Sequence, residues 1–376
     1  MQKNIITASD TIKVSGAVFS ARKEGKYMKK SKIAVIFGGC STEYEVSLQS
    51  AYSVMQKLNT EKYEVIPVGI TREGKWFHYT GEYARIAENS WWEDIEYLFP
   101  AVFPANRGAG GFIEFHGEKM RTVGVDIAFP VLHGKNGEDG SVQGLFQLSG
   151  IPVVGCSVLS SALCMDKTRA HRLVSAAGIA VPKSLTFTNS SIETAFQEVR
   201  KTFHFPLFVK PVRSGSSFGI SKVHSADELQ RAAIFAFKHD NEVIVEENID
   251  GFEVGCAVMG TDNLTVGRVD EIELSGGFFD YTEKYTLKTS RIYMPARITP
   301  AEEERIQKTA KVIYRTLGCS GFARVDMFYT PEKRIVFNEV NTIPGFTAHS
   351  RFPSMMKGIG LSFADMLDRL IGEYLK

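Results

Sequence analysis

The stretch from Lys32 to Leu58 constrains the fold of this chain more than any other. A short β-branched run, KIAVIF, turns at once through GGCSTE into YEVSLQSAYSVMQKL, whose Val46, Ala51, Val54, Met55 and Leu58 supply the apolar positions of a helix. YEVIPVGI and VDIAFPVLHG read as two further strands. Strands alternating with helices imply βαβ connections and a largely parallel sheet, an α/β unit that IPVVG ends near residue 154. Residues 1–30 carry polar residues throughout and no long apolar core, so they do not read as a secretory signal. They read as an extension outside the fold, or as a start upstream of a natural Met28.

A second unit is expected over 155–245 and a third over 246–376, both α+β in pattern. The second holds a helix over MDKTRAHRLVSAAG stopped by Gly178, a strand PLFVKP, a loop RSGSSFG, a returning strand ISKV and an amphipathic helix ADELQRAAIFAFK. Strands VIVEE, EVGCAVMG and LTVGRVDEIEL look antiparallel, and a long loop over SGGFFDYTEKYTLKTSR follows. The next helix, PAEEERIQKTAKVIYRTLG, puts Ile306, Ala310, Ile313 and Leu317 on one stripe. With 44 basic against 43 acidic side chains, the net charge of +1 argues against nucleic acid or an anionic membrane as partner. Five scattered cysteines without a C-x-x-C pair point away from a disulfide framework and toward a reducing, cytoplasmic setting. No apolar run approaches the roughly 20 residues that span a bilayer.

Four stretches carry chemistry. In GFARVDMFYTPEKRIVFNEVN, two strands joined over TPEKR make a hairpin, and period-two alternation places Arg324 and Asp326 on one face and Glu339 and Asn341 on the matching face. Two carboxylates and an amide oxygen suit Mg²⁺, which takes one or two carboxylates together with substrate phosphates. A solvated face with a surface salt bridge is the alternative. In KPVRSGSSFG, Gly215 and Gly219 flank Ser216 and Ser217 just after Lys210, so amides, hydroxyls and one ammonium can face phosphate oxygens; neither a P-loop nor a dinucleotide fingerprint is present. HGKNGEDGSVQG, from His133, places four glycines in twelve residues at the carboxyl end of a strand, where open α/β sheets bind ligands. Lys167 stands at a helix start, which the helix dipole disfavours unless an anion is near.

In order along the chain, FGGCSTEYEVS, HGKNGEDG, MDK, FVKPVRSGSSFGI, VEENIDGFEV, FFDYTEKY, GFARVDMF and NEVNTIPGFTAHS resemble the motifs of the D-alanine–D-alanine ligases of peptidoglycan synthesis. The resemblance runs from about Lys32 to the C-terminus. It implies an ATP-grasp fold, with two α+β units clasping ATP and an N-terminal Rossmann-like unit helping to hold the amino acids. It further implies phosphorylation of a D-alanine carboxylate by ATP, then attack of a second D-amino acid on the acyl phosphate.

Carried over position by position, Lys167 and Lys210 match the phosphate-binding lysines, and Ser216, Ser217 and Gly219 belong to the loop over the phosphates. Glu246, Glu247 and Ile249 match the adenine-binding segment, and Glu253 the ribose carboxylate. Asp326, Glu339 and Asn341 match ligands of two Mg²⁺ ions, with Mn²⁺ as an alternative metal. Arg324 and the backbone of Gly345 would stabilise charge on the reacting groups, and Glu43 would hold the first D-alanine's ammonium in a triad with Ser216 and Tyr285. His133 is expected near that substrate's carboxylate, Lys284 and Tyr285 in a closing loop, and Ser350 at the second substrate's carboxylate. A homodimer is implied as well. Two positions depart from the ordinary pattern: Phe279 stands where a tyrosine is common, and Arg351 where an apolar residue is usual. Both departures resemble the vancomycin-resistance branch that makes D-alanyl-D-serine, because D-serine offers an arginine N–H a hydroxyl and D-alanine only a methyl. The expected substrates are therefore D-alanine and D-serine, with an ordinary D-alanine–D-alanine ligase as the alternative.

Overall fold

Alternation along the first strand, β1 (Ser31–Gly38), builds the N-terminal unit from both faces. Ile33, Val35 and Phe37 point to one side and Ala34 and Ile36 to the other, and each set is fully buried in its own apolar cluster. In the computed structural model, which describes residues 29–215, 218–274 and 290–375, β1 lies in a seven-stranded sheet. Its order is β6 (Lys119–Gly124), β5 (Gly111–His116), β4 (Leu98–Val102), β3 (Trp76–Tyr79), β2 (Tyr63–Ile70), β1, β7 (Ile127–Pro130). Only the expected strands β2, β1 and β7 are parallel; β3 to β6 add antiparallel pairs at one edge. That edge escapes a helix–strand period because β3 and β4 are joined through short helical turns over 83–97.

The central sheet is four-stranded and antiparallel, in the order β10 (Ser221–Val223), β9 (Leu207–Pro211), β11 (Glu242–Glu247), β8 (Ser184–Thr188). Among the described residues the third sheet has five antiparallel strands: β14 (Ser290–Tyr293), β13 (Thr265–Leu274), β12 (Phe252–Met259), β15 (Phe322–Tyr329), β16 (Ile335–Asn341). Helix Pro300–Thr316 packs on it through Ile306, Ala310 and Ile313, the stripe read from sequence. A capping box of Thr299 and Glu302 starts that helix, and Pro300 sits at its first turn.

Two contacts tie the units together. Strand β11 crosses the division expected at 245, and helices Val158–Met165 and Lys167–Ala176 bury Cys164, Ala170 and Val174 in the core of the five-stranded sheet. At the other end, helices Arg351–Lys357 and Phe363–Gly372 bury Phe352, Met355, Met356 and Leu370 in one cluster with Phe37 and Trp91 of the N-terminal unit. At roughly 1.5–3 kcal/mol for each large apolar side chain buried, these helices fasten the segment before them, 342–350, against the N-terminal loops.

Candidate active site

The cleft between the central and five-stranded sheets holds a cavity of about 450 Å³, walled in part by Lys167, Lys210, Glu246, Ile249, Glu253 and Glu339. Lys210, near the end of β9, donates to Glu246 Oε2 on the adjacent strand β11 at 2.7 Å, and both side chains are buried. Burial pushes the Glu246 carboxyl up, but the charges of Lys210, His171 and Lys167 outweigh it and hold the group below its ordinary value. Lys167 opens its helix, lies 4.0 Å from Glu339 Oε2 and donates to the Ser214 carbonyl at 2.8 Å. Two buried ammonium groups thus share one cavity, a concentration of positive charge suited to a polyanion. Glu247 also lines it, with Oε1 accepting the backbone N–H of Lys183 at 2.8 Å. Gly219 has φ +75°, and a Cβ there would come within 2.7 Å of Pro211 and His239, so the turn after the serine pair requires glycine.

The hairpin has the register that alternation predicts, Asp326 opposite Glu339 and Arg324 opposite Asn341. Arg324 grips Asp326 with Nε at 2.8 Å from Oδ1 and Nη2 at 2.7 Å from Oδ2, while Asn341 Nδ2 donates to Oδ2 at 2.8 Å. With 11% of the Arg324 side chain and 2% of Asp326 exposed, this is no surface salt bridge. Burial opposes the Arg324 charge, yet Asp326 raises its pKa overall. Register slips after Asp326, so that Met327 pairs with Phe337, and the carbonyl of the bulged Asn338 meets His171 Nε2 at 3.0 Å.

The third group of residues gathers where the N-terminal unit meets segment 342–351. Glu43 is buried at the start of helix Tyr44–Lys57, with Gly134 and Gly215 against its Oε2; a Cβ on either would stand 2.6 or 3.1 Å away. Loops from the N-terminal and central units therefore converge on one carboxylate. Gly345 packs on Ser350, whose hydroxyl accepts the Thr347 N–H at 3.0 Å. His133 is 3% exposed, with Nδ1 2.8 Å from the Ile343 carbonyl and Nε2 3.0 Å from Ser50 Oγ. Both ring nitrogens therefore serve protein partners, one on the helix Tyr44–Lys57 and one on segment 342–350. Arg351 reaches back to the five-stranded sheet: Nε and Nη2 hold Asp270 at 2.7 and 2.8 Å, and Nη1 donates to Glu253 at 3.2 Å. Its Nη2 also lies 3.4 Å from Asp326, and only 10% of the side chain is exposed. Burial works against the guanidinium charge, but Asp270, Asp326 and Glu253 lift its pKa well above the ordinary value. Gly255 makes room for it, since a Cβ there would overlap Arg351 Nη2 and Asp270 Oδ1. Ser216, Ser217, Phe279, Lys284 and Tyr285 lie outside the described residues.

Residues 32–156 match the family description "D-ala D-ala ligase N-terminus" and residues 173–372 "D-ala D-ala ligase C-terminus". The chain belongs to the D-alanine–D-alanine ligase family. It is an ATP-dependent ligase of the D-alanine–D-X type. A solved structure titled the VanG D-Ala:D-Ser ligase from Enterococcus faecalis is 65% identical to this ligase, with a TM-score of 0.87 over 92% of this chain and 100% of that one. The D-alanine–D-alanine ligase of Coxiella burnetii is 30% identical, with a TM-score of 0.81 over 93% of this chain and 94% of that one. The vancomycin B-type resistance protein VanB of Enterococcus faecalis is 46% identical over 92% of this chain and 98% of its own length.

Three residues of the ligase's site escape sequence reasoning. Asp270 is one acid in a strand, and nothing near it signals a partner 81 positions away. Glu138 lies inside HGKNGEDG, where the glycines draw attention from the carboxylate that binds Gly134 and Ile343. Ser50 looks like any small residue on a helix.

Proposed function

We propose that this ligase joins D-alanine to D-serine through a D-alanyl phosphate, supplying modified peptidoglycan precursors for vancomycin resistance. The observation that carries the second substrate is the buried guanidinium of Arg351, fixed by Asp270 and directly after Ser350. Asp270, Glu253 and Asp326 engage its Nε, Nη1 and Nη2, and an N–H they leave over gains nothing beside a methyl group, whereas a serine hydroxyl can accept from it. The likeness to the VanG D-Ala:D-Ser ligase supports the same choice.

In this reading ATP occupies the cavity, with its phosphates toward Lys167 and Lys210, the turn at Gly219 beneath them, adenine along Glu246 to Ile249 and ribose near Glu253. Lys210 must then exchange its carboxylate partner for phosphate. Asp326, Glu339 and Asn341 fit Mg²⁺ by the chemistry of their oxygens. Among the described residues no three His, Cys, Asp or Glu side chains could hold a metal, so phosphate oxygens would complete the coordination. The bound ion would neutralise phosphate charge. Arg324, buried and already charged, faces the transferring phosphoryl group, the Gly345 N–H faces the tetrahedral oxyanion, and Glu43 holds the first ammonium. Three units around the cleft, a homodimer and a cytoplasmic location complete the reading. No helix among the described residues is long and apolar enough to cross a membrane.

The test is a competition assay with ATP, Mg²⁺, D-alanine and D-serine, with products identified by mass spectrometry. D-Alanyl-D-serine should dominate, and Arg351→Leu should shift the product ratio toward D-alanyl-D-alanine by about tenfold, the scale of one lost hydrogen bond to a charged group. Equal kcat/KM for the two second substrates in the unaltered enzyme would return the protein to ordinary D-alanine–D-alanine ligation.

A further inference from the structure

The segment Ile343-Pro344-Gly345-Phe346 is held from behind by three side chains of the N-terminal unit. Glu138 Oε1 accepts the Ile343 N–H at 2.9 Å, while its Oε2 accepts the Gly134 N–H at 2.9 Å. His133 lies 2.8 Å from the Ile343 carbonyl, and Ser50 Oγ accepts the Phe346 N–H at 3.2 Å. One assignment of protons satisfies every contact. A carbonyl can only accept, so His133 carries its proton on Nδ1, which leaves Nε2 to accept from the Ser50 hydroxyl. Burial lowers the His133 pKa, in keeping with that neutral ring.

The consequence falls on Gly345. Pro344 has no N–H, those of Ile343 and Phe346 are tied, and among the described residues the Gly345 N–H has no partner. A free N–H between two anchored neighbours is pre-aimed, which is what an oxyanion donor requires. We propose that Glu138, with His133 and Ser50 behind it, is the positioning residue that aims the Gly345 N–H at the tetrahedral intermediate. This rests on the ligase reading and extends it to residues that touch no substrate. Because Glu138 also holds Gly134, which packs on Glu43, one carboxylate joins the first-substrate loop to the donor segment.

Glu138→Gln keeps the shape but turns an amide NH₂ toward one of the two N–H groups. The full-length variant is assayed for dipeptide formation and for affinity toward a phosphinate dipeptide that mimics the tetrahedral intermediate. A displaced donor should cost about 10- to 100-fold in kcat. The phosphinate should lose the same factor in affinity, with KM for ATP within about twofold of the unaltered enzyme, because the loss falls only on the transition state. Unchanged kcat would overturn the proposal. So would a fall in kcat with undiminished phosphinate binding, or with a matching rise in KM for ATP, since each marks general damage. If Glu138→Gln does not fold, Ser50→Ala carries the same test, as it frees the Phe346 N–H and His133 Nε2 while leaving both Glu138 contacts in place. Wild-type enzyme that forms no D-alanyl dipeptide would instead sink the ligase reading, and this inference with it.

Discussion

Two buried carboxylates, one at each end of the cleft, are treated in opposite ways. At the nucleotide end Glu246 meets Lys210 at 2.7 Å and is held below its ordinary pKa. At the substrate end Glu138 meets two backbone N–H groups; burial first, then the like charge of Glu43, pushes its carboxyl up. The first is charge matched to charge, with a cation poised for transfer to a ligand. The second is a carboxylate spent on geometry, fixing where main chain lies. The nucleotide end therefore works by electrostatics and the substrate end by placement, and substitutions at the two ends should fail differently.

The largest effect is expected from Lys210→Met, which strands Glu246 in a buried site. Breaking a buried pair from one side costs about 3–5 kcal/mol, so Tm should drop sharply and turnover should vanish with either second substrate. Adding Glu246→Leu should restore most of the Tm without activity, because the lysine is needed for phosphate and the carboxylate for the lysine. The contrast breaks if Lys210→Met leaves Tm unchanged in thermal melts, or if the double variant regains turnover.

Gly255→Ala probes the other end and should alter choice more than rate. Its Cβ would overlap Arg351 Nη2 and Asp270 Oδ1, so the guanidinium must move while the nucleotide cavity keeps its phosphate lysines. The preference for D-serine over D-alanine, read as the ratio of the two kcat/KM values, should fall by about tenfold, a larger change than in KM for ATP, which feels Arg351 only through Glu253. An equal loss for both substrates would mean that the two ends are not separable.

The same division explains what the sequence makes legible. Nucleotide-end residues lie in short motifs whose local structure decides their role: Lys210 ends a strand, Lys167 starts a helix, and alternation alone sets Asp326 opposite Glu339. The substrate end is made by long-range contacts, Arg351 to Asp270 across 81 positions and Glu138 to Ile343 across 205. No window on the chain contains both partners, so the stretches 133–144 and 341–351 could be singled out but not joined. His133 shows the limit clearly, since its place in a ligand loop was readable and its two protein partners were not. The same holds for the N-terminal sheet, where β1, β2 and β7 follow from a strand–helix period and the antiparallel edge β3 to β6 follows from none.

The smallest effect should appear in the pH dependence of stability, and it bears directly on Glu138. Its carboxyl titrates near the ordinary glutamate value of about 4.3 in the unfolded chain and higher in the folded one, where burial and the like charge of Glu43 raise it. The folded state therefore binds the extra proton between those limits, and stability falls as pH rises through that window. In Glu138→Gln that group does not titrate. The Tm advantage of the unaltered enzyme over the variant should shrink as pH rises from 5 toward 8, by a few degrees for each pH unit inside that window at about 2–4 °C per kcal/mol. Parallel Tm curves across that range would mean Glu138 keeps an ordinary pKa and sits in water. A widening gap would mean that a cation stabilises it, as Lys210 does Glu246, and the two ends of the cleft would then be built alike. A shrinking gap would place the carboxylate where geometry is secured at the expense of stability, the trade expected of a group that aims a backbone N–H.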